Sequence, residues 1–222
     1  MQADATRRGR FITLEGAEGV GKSTLLPIVL ETLGNFNIDV CSTREPGGTP
    51  LGEQLREVLL GTEEAMSCKA ELLMMFASRA QHIESVIEPA LAQGTWVLCD
   101  RFTDASFAYQ GGGREMGAEK IAVLESWLQE GLQPDLTLLL DATRATSIER
   151  TQRRRALDRI ESEGDAFFER VRQAYLDRAT RHAERIVVID ANPDFETVCN
   201  SMRDVLVPRI EGWVTNLAGA ST

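Results

Sequence analysis

Residues 16–24, GAEGVGKST, constrain this chain more than any other stretch. The spacing Gly16-x4-Gly21-Lys22-Ser23 fits the phosphate-cradling pattern G-x-x-x-x-G-K-[ST]. Glycines there let successive backbone N–H groups turn inward around phosphate oxygens. Lysine adds a point charge, the serine hydroxyl can ligand Mg²⁺, and the helix that follows points its positive end at the ligand. The context agrees with the motif. RFITLEG before it reads as a short buried strand. KSTLLPIVLETLG after it reads as a helix, with Leu25, Ile28, Val29 and Leu33 at helical spacing and a stop at Gly34. Pro27, in the first turn or two, is awkward for a regular helix. Gly16, Ala17, Glu18, Gly19, Val20, Gly21, Lys22, Ser23 and Thr24 are therefore candidate ATP-binding residues. Glu18 is the anomaly, a carboxylate where phosphate charge is expected.

A strand and helix on either side of such a loop start a parallel sheet, and the rest of the chain continues one. Short apolar runs at FITLEG (11–16), IDVCSTR (38–44), TWVLCDR (95–101), DLTLLLD (135–141) and RIVVID (185–190) alternate with helical segments. Near-continuous apolar character suits parallel strands buried on both faces. The expectation is an α/β, three-layer fold of the P-loop NTPase type, a five-stranded parallel sheet flanked by helices. A chain of 222 residues without linker or repeat reads as one domain, 11–222, behind a flexible tail over 1–10. The net charge of −10 argues against general nucleic-acid binding. No apolar run approaches a membrane span, and MQADATRRGR lacks the hydrophobic stretch of a signal peptide. Cys41, Cys68, Cys99 and Cys199 fit no metal-ligand spacing and read as small buried thiols in a reducing cytoplasm.

Ligands of such sheets gather beyond the carboxyl ends of the strands, and the polar clusters fall there. Asp100 ends the run WVLC as an acid able to hold the shell of a Mg²⁺ whose ligand is Ser23; the alternative is a cap for the next helix. Arg44 and Arg101 close the second and third strands, where they serve either phosphate or a structural ion pair. Arg150, Arg153, Arg154, Arg155 and Arg159 crowd one segment. Such a run is ordinarily a solvated helix face, but here it lies between two helical patterns, the second marked by Phe167, Val171 and Ala174. It reads as a basic lid around 150–164 that closes over a nucleotide. No general base accompanies the loop, and His82 and His182 read as incidental. That fits an acceptor that is itself a phosphate monoester, with a second pKa near 6, and needs no base to ionise it.

The motifs LEGAEGVGKST, TREPGGT, AELLMMFASRAQ, DRFTDASFAYQGGGR and LDRIE, in this order, resemble bacterial thymidylate kinases over nearly the whole chain. The resemblance implies transfer of phosphate from ATP to dTMP with Mg²⁺, in a cytoplasmic homodimer. It implies that Glu18 faces the sugar 3′-hydroxyl of the acceptor, on the far side of the loop from ATP. It implies that Arg44 and Arg101 hold the acceptor and transferring phosphates, and that Lys22, Arg101, Arg154 and Arg159 are catalytic. Arg79 would meet the carbonyl edge of thymine, Ser106 the base and Tyr109 the sugar, with Gln110 bordering the same pocket. Met75 occupies the family's frequent base-stacking position with Phe76 next to it, so either side chain could stack. A different P-loop small-molecule or nucleoside monophosphate kinase is the alternative. A GTPase-type switch would show a guanine-specific N-K-x-D element, which the sequence lacks.

Overall fold

The computed structural model describes residues 8–61, 65–151 and 159–219. Five strands form one parallel sheet: β1 (Phe11–Glu15), β2 (Val40–Arg44), β3 (Trp96–Asp100), β4 (Leu136–Asp141) and β5 (Ile186–Asp190), in the order β2-β3-β1-β4-β5. The helices are α1 (Lys22–Gly34), α2 (Pro50–Gly61), α3 (Cys68–His82), α4 (Glu88–Ala92), α5 (Thr103–Ser106), α6 (Ala118–Gln129), α7 (Arg144–Thr151), α8 (Asp165–Arg181) and α9 (Phe195–Gly219). Two π-helical turns, Ile83–Ile87 and Phe107–Gly113, continue α3 and α5. The five strands read from the sequence are the five observed, and the parallel, helix-covered sheet is as expected.

Register explains where the site lies. Leu14 pairs with Asp100, and Arg44 also pairs with Asp100, so β1, β2 and β3 end at one level. The connection after β1 leads to β2 on one side of β1, and the connection after β3 leads to β4 on the other, which opens a crevice at the carboxyl ends. The central strands β1, β3 and β4 are buried almost throughout. Leu25, Val29 and Leu33 of α1 and Met202, Leu206 and Ile210 of α9 pack with Ile12, Leu14, Leu98 and Leu138 of the strands. Phe167, Phe168, Val171 and Tyr175 of α8 pack with Tyr109, Leu139 and Ile186. The edge strands depart from two-sided burial: β2 is half exposed, and Val188 of β5 is 44% exposed. An edge strand has a neighbour on one side only, and its polar Ser42, Thr43 and Arg44 match that position. Helix α1 tolerates Pro27 without a break, although Pro27 has no N–H to offer the Ser23 carbonyl.

Of the expected tail, 8–10 falls within the described residues. Arg8 and Arg10 pair with Asp135 at 3.1 and 2.9 Å, and the Gly9 N–H donates to the Leu91 carbonyl at 2.8 Å. These residues extend the line of β1 and close the amino end of the sheet, whereas residues 1–7 lie outside the described residues. The thiols divide too: Cys99 and Cys199 are buried, Cys41 is half-buried and Cys68 is exposed at the start of α3.

Asp104 of α5 is buried among cations. It accepts two hydrogen bonds from Arg185 at 2.7 and 2.8 Å and one from Arg178 at 2.5 Å, tying α5 to α8 and β5. The two guanidiniums hold its carboxyl below the usual range despite the opposing effect of burial. Asp104→Ala would leave two cations without their shared anion, and should cost about 3–5 kcal/mol of stability. Urea denaturation measures this; a loss under about 1 kcal/mol would show that the network relaxes without Asp104.

Candidate active site

The loop between β1 and α1 is shaped by its glycines. Gly16 has φ +139°, and a Cβ there would stand 2.5 Å from the Leu140 carbonyl oxygen, so both conformation and space demand glycine. Helix α1 begins at Lys22 with Gly21 as its cap and no acidic residue in its first turn. Its positive end is therefore left for a ligand. Lys22 is buried, and its Nζ donates to the Gly16 and Ala17 carbonyls at 3.0 Å each, closing the loop around its own lysine. Burial, followed by repulsion from Arg101, lowers the Lys22 ammonium to about 8. The loop from Glu18 to Thr24 lines a cleft of about 750 Å³ with Arg44, Asp100, Arg101, Arg150 and Asn192.

Asp100 does not cap the next helix: Phe102 holds that position, without a side-chain cap bond. Instead its Oδ1 is buried with no hydrogen-bond partner. An orphaned carboxylate oxygen in the same cleft as the Ser23 hydroxyl fits a hard divalent cation. Mg²⁺ takes one or two protein oxygens and completes its shell with water and phosphate. No cluster of three or more His, Cys, Asp or Glu able to cage a metal occurs among the described residues.

Arg101 follows in a left-handed conformation, φ +71°, which a non-glycine residue adopts only when its surroundings enforce it. The enforcement is visible. The Arg101 N–H donates to the Leu14 carbonyl at 3.0 Å, and the Phe102 N–H donates to Glu15 Oε1 at 2.7 Å. The Tyr175 hydroxyl donates to Glu15 Oε2 at 2.7 Å and lies 3.4 Å from Arg101 Nη1. Arg101 Nη2 reaches the Tyr109 hydroxyl at 3.0 Å and Glu18 Oε2 at 3.3 Å. Burial, reinforced by the charge of Asp104, raises the Glu15 carboxyl to about 7. Burial likewise pushes Tyr109 up to about 12 and raises Tyr175 well above the usual phenol range, so both phenols keep their protons at neutral pH. Glu15 and Tyr175 were not singled out from sequence. The one available signal was an acid directly at a strand end, in LEG.

A smaller pocket of about 100 Å³ opens beside the cleft, with Glu18 and Arg101 in the walls of both. Met75, Arg79, Ser106, Tyr109 and Gln110 are among its lining residues, as are Phe102 and Ile160. Tyr109 and Gln110 come from the π-helical turn, a local widening common at functional sites. That turn packs tightly on α8: a Cβ on Gly113 would lie 2.6 Å from the Phe167 ring. Arg79 is 2% exposed and donates to Glu45 Oε2 at 2.7 Å, Ser106 Oγ at 3.1 Å and the Phe102 carbonyl at 3.2 Å.

Of the two stacking candidates, Met75 lines the pocket and Phe76 does not. Phe76 is buried with Leu72, Phe107 and Ile121, and its ring lies 4.7 Å beneath the Arg79 guanidinium. Arg44 faces the larger cleft, where Nη2 pairs with Glu53 at 2.8 Å. Arg159 is not aimed at the loop. It donates to the Leu59 carbonyl at 3.0 Å and to Glu71 Oε2 at 2.7 Å, on the wall behind the smaller pocket. Arg154 lies outside the described residues. Arg150 instead borders the cleft, donating to the Val20, Ala191 and Pro193 carbonyls at 3.3, 2.8 and 3.3 Å. His82 is more than incidental: fully buried, it meets Glu45 Oε1 at 3.0 Å and Thr43 Oγ1 at 2.6 Å, so it braces the carboxylate that holds Arg79.

A phosphate loop at the head of a parallel sheet, facing a second pocket across a shared arginine, defines a P-loop phosphotransferase. The thymidylate kinase family model matches residues 14–202. A thymidylate kinase from Alkalilimnicola ehrlichii is 52% identical over 210 residues, covering 94% of this chain and 97% of that one. One from Pseudomonas entomophila is 54% identical over 203 residues, covering 91% and 96%. The crystal structure of thymidylate kinase from Ehrlichia chaffeensis superposes with TM-score 0.72 at 31% identity, covering 90% of this chain and 98% of that chain. The chain belongs to the thymidylate kinase family, and is thus a nucleoside monophosphate kinase.

Proposed function

We propose that the chain moves the γ-phosphoryl group of ATP onto the 5′-phosphate of dTMP, giving ADP and dTDP. The observation that carries this reading is the junction of the two pockets at Glu18 and Arg101. The larger cleft, with the loop amides and Lys22, takes the ATP phosphates; the smaller one takes dTMP. Arg101 stands where donor and acceptor phosphates meet, and Arg44 adds positive charge on the cleft side. Ser23 and Asp100 would hold Mg²⁺, which neutralises the ATP phosphates when bound. The acceptor phosphate is already largely ionised at neutral pH, so its oxygen attacks without an enzymic base. The protein's task is to align two anions and hold positive charge where negative charge develops.

The opening anomaly is explained by this division. Glu18 pairs with Arg101 at 3.3 Å where the two pockets meet, which supports a role toward the sugar of dTMP for its carboxylate. Arg79, Ser106, Tyr109 and Gln110 surround the base and sugar, with Met75 as the apolar contact on the base. The basic lid, with Arg154 its proposed catalytic arginine, completes the charge over the donor. Arg159 works from the wall behind the acceptor.

A homodimer is part of the proposal. Leu51 and Val58 of α2, Leu73 of α3, and Val123 and Trp127 of α6 are all exposed, Trp127 by 76%. Exposed apolar residues on neighbouring helices suit a second copy of the chain. No helix of the described residues is long and apolar enough to cross a membrane; a cytoplasmic setting and the absence of nucleic-acid partners are likewise proposed.

The test is a panel of nucleoside monophosphates with coupled detection of ADP. One methyl group in a pocket is worth about 1–3 kcal/mol, so kcat/KM for dTMP should exceed that for dUMP by about tenfold or more. Equal values would contradict a thymine-shaped pocket, and a stronger response to a purine monophosphate would favour another nucleoside monophosphate kinase.

A further inference from the structure

Glu71 of α3 is 1% exposed and touches neither proposed phosphate site. Its carboxylate accepts from Gln110 Nε2 at 2.9 Å, from Arg159 Nη2 at 2.7 Å and from Arg114 Nε at 3.3 Å, and it lies in an ion pair 3.2 Å from Arg114 Nη2. Two guanidiniums clamp one buried acid, and an ionised carboxylate so clamped can only accept hydrogen bonds. Burial by itself would raise its pKa; the bonds from Gln110, Arg159 and Arg114 more than offset that and hold it low.

This has a consequence for Gln110. An amide side chain offers an NH₂ at one corner and a carbonyl at the other, and which corner faces a pocket decides what it reads. Against Glu71 only the NH₂ can stand. The carbonyl Oε1 is then turned the other way, on a residue that lines the smaller pocket, and nothing among the described residues donates to it. The same pocket is lined by Arg79, which spends three of its five N–H groups on Glu45, Ser106 and Phe102. The pocket thus presents a fixed acceptor beside spare donors.

Resting on the acceptor reading above, we infer that Glu71 is a specificity-determining positioning residue that locks the Gln110 amide so that the pocket accepts a keto pyrimidine and rejects an amino pyrimidine. Thymine offers an N–H at position 3 and a carbonyl at position 4, the complement of an acceptor beside a donor. Cytosine reverses both, with a bare ring nitrogen and an NH₂. A free glutamine could rotate its amide by half a turn and accommodate either base. Glu71 removes that freedom without touching substrate.

The experiment compares kcat/KM for dTMP and dCMP in wild type, Glu71→Gln, Gln110→Leu and the double variant. In Glu71→Gln the neighbour can donate or accept, so Gln110 is released and the dTMP-to-dCMP ratio should fall by about tenfold or more, the scale of one mispaired buried polar group. Gln110→Leu should lower it comparably, and adding Glu71→Gln to it should change the ratio less than about twofold, because the group it orients is gone. A merely structural Glu71 would depress both acceptors together and leave the ratio unchanged; that result, or an unchanged ratio in Gln110→Leu, overturns the inference. Should Glu71→Gln fail to fold, a crystal structure of wild type with dTMP decides. Gln110 within about 3.2 Å of both Glu71 and N3 of the base supports the lock, and a Gln110 amide contacting only one of them refutes it. Failure of wild type to turn over dTMP would instead overturn the acceptor reading itself.

Discussion

Lys22→Ala is expected to lower kcat for dTDP formation by about a thousandfold or more while shifting the thermal midpoint only slightly. The rate loss follows from the position of the side chain. Its Nζ lies buried in the loop, held by the Gly16 and Ala17 carbonyls. A charge preorganised in a water-poor cleft is worth far more to a transferring phosphoryl group than one in bulk solvent; a thousandfold corresponds to about 4 kcal/mol. Stability responds differently. Two hydrogen bonds are lost, each worth about 1 kcal/mol net, but so is the cost of burying an ammonium. Burial already pulls that ammonium down to about 8, a sign that the folded protein tolerates rather than favours its charge. Steady-state turnover with calorimetry on the same preparation checks both halves. A kcat within tenfold of wild type would mean that the loop does not hold the transferring phosphate.

Arg101→Lys should cost about a hundredfold in kcat and raise KM for dTMP as well. The substitution keeps the charge and removes the fork. Arg101 uses one nitrogen toward Tyr175 and the other toward Tyr109 and Glu18, with its Cζ 4.7 Å from the Tyr109 ring centroid. A lysine cannot meet these partners together or bridge two phosphates with parallel donors. Because the turn is fixed by Glu15 and by the Leu14 carbonyl, the backbone should stay in place, and the loss should report on the side chain alone. Single-turnover rates separate the effect on transfer from that on binding. A kcat within threefold of wild type would remove Arg101 from the transfer step.

What was legible in the sequence was what local chemistry dictates. The three central strands are nearly unbroken apolar runs because helices cover both faces, and the loop's glycines and lysine are set by spacing alone. Edge strand β2 was legible with more difficulty, since one open side lets Ser42 and Thr43 into the run. What remained hidden depends on long-range packing. Glu15 and Tyr175 are 160 residues apart in sequence and meet only because α8 lies across the end of β1. Glu71, Gln110 and Arg159 come from three separate elements. Arg159 looked like a phosphate ligand in a basic run, and only the fold shows that a buried carboxylate on α3 claims it. Phe76 and Met75, adjacent in sequence, could be told apart only by which side of α3 faces the pocket. His82 carried no motif, yet its ring braces the acid behind Arg79.

The account stands on two anions meeting at Arg101 with no proton acceptor supplied by the protein. Phosphorus NMR of the purified chain with ATP and Mg²⁺, in parallel with dTMP and with thymidine, tests that most directly. The expected result is conversion of dTMP to dTDP with no phosphorylation of thymidine. Phosphorylation of thymidine with dTMP left unreacted would contradict it.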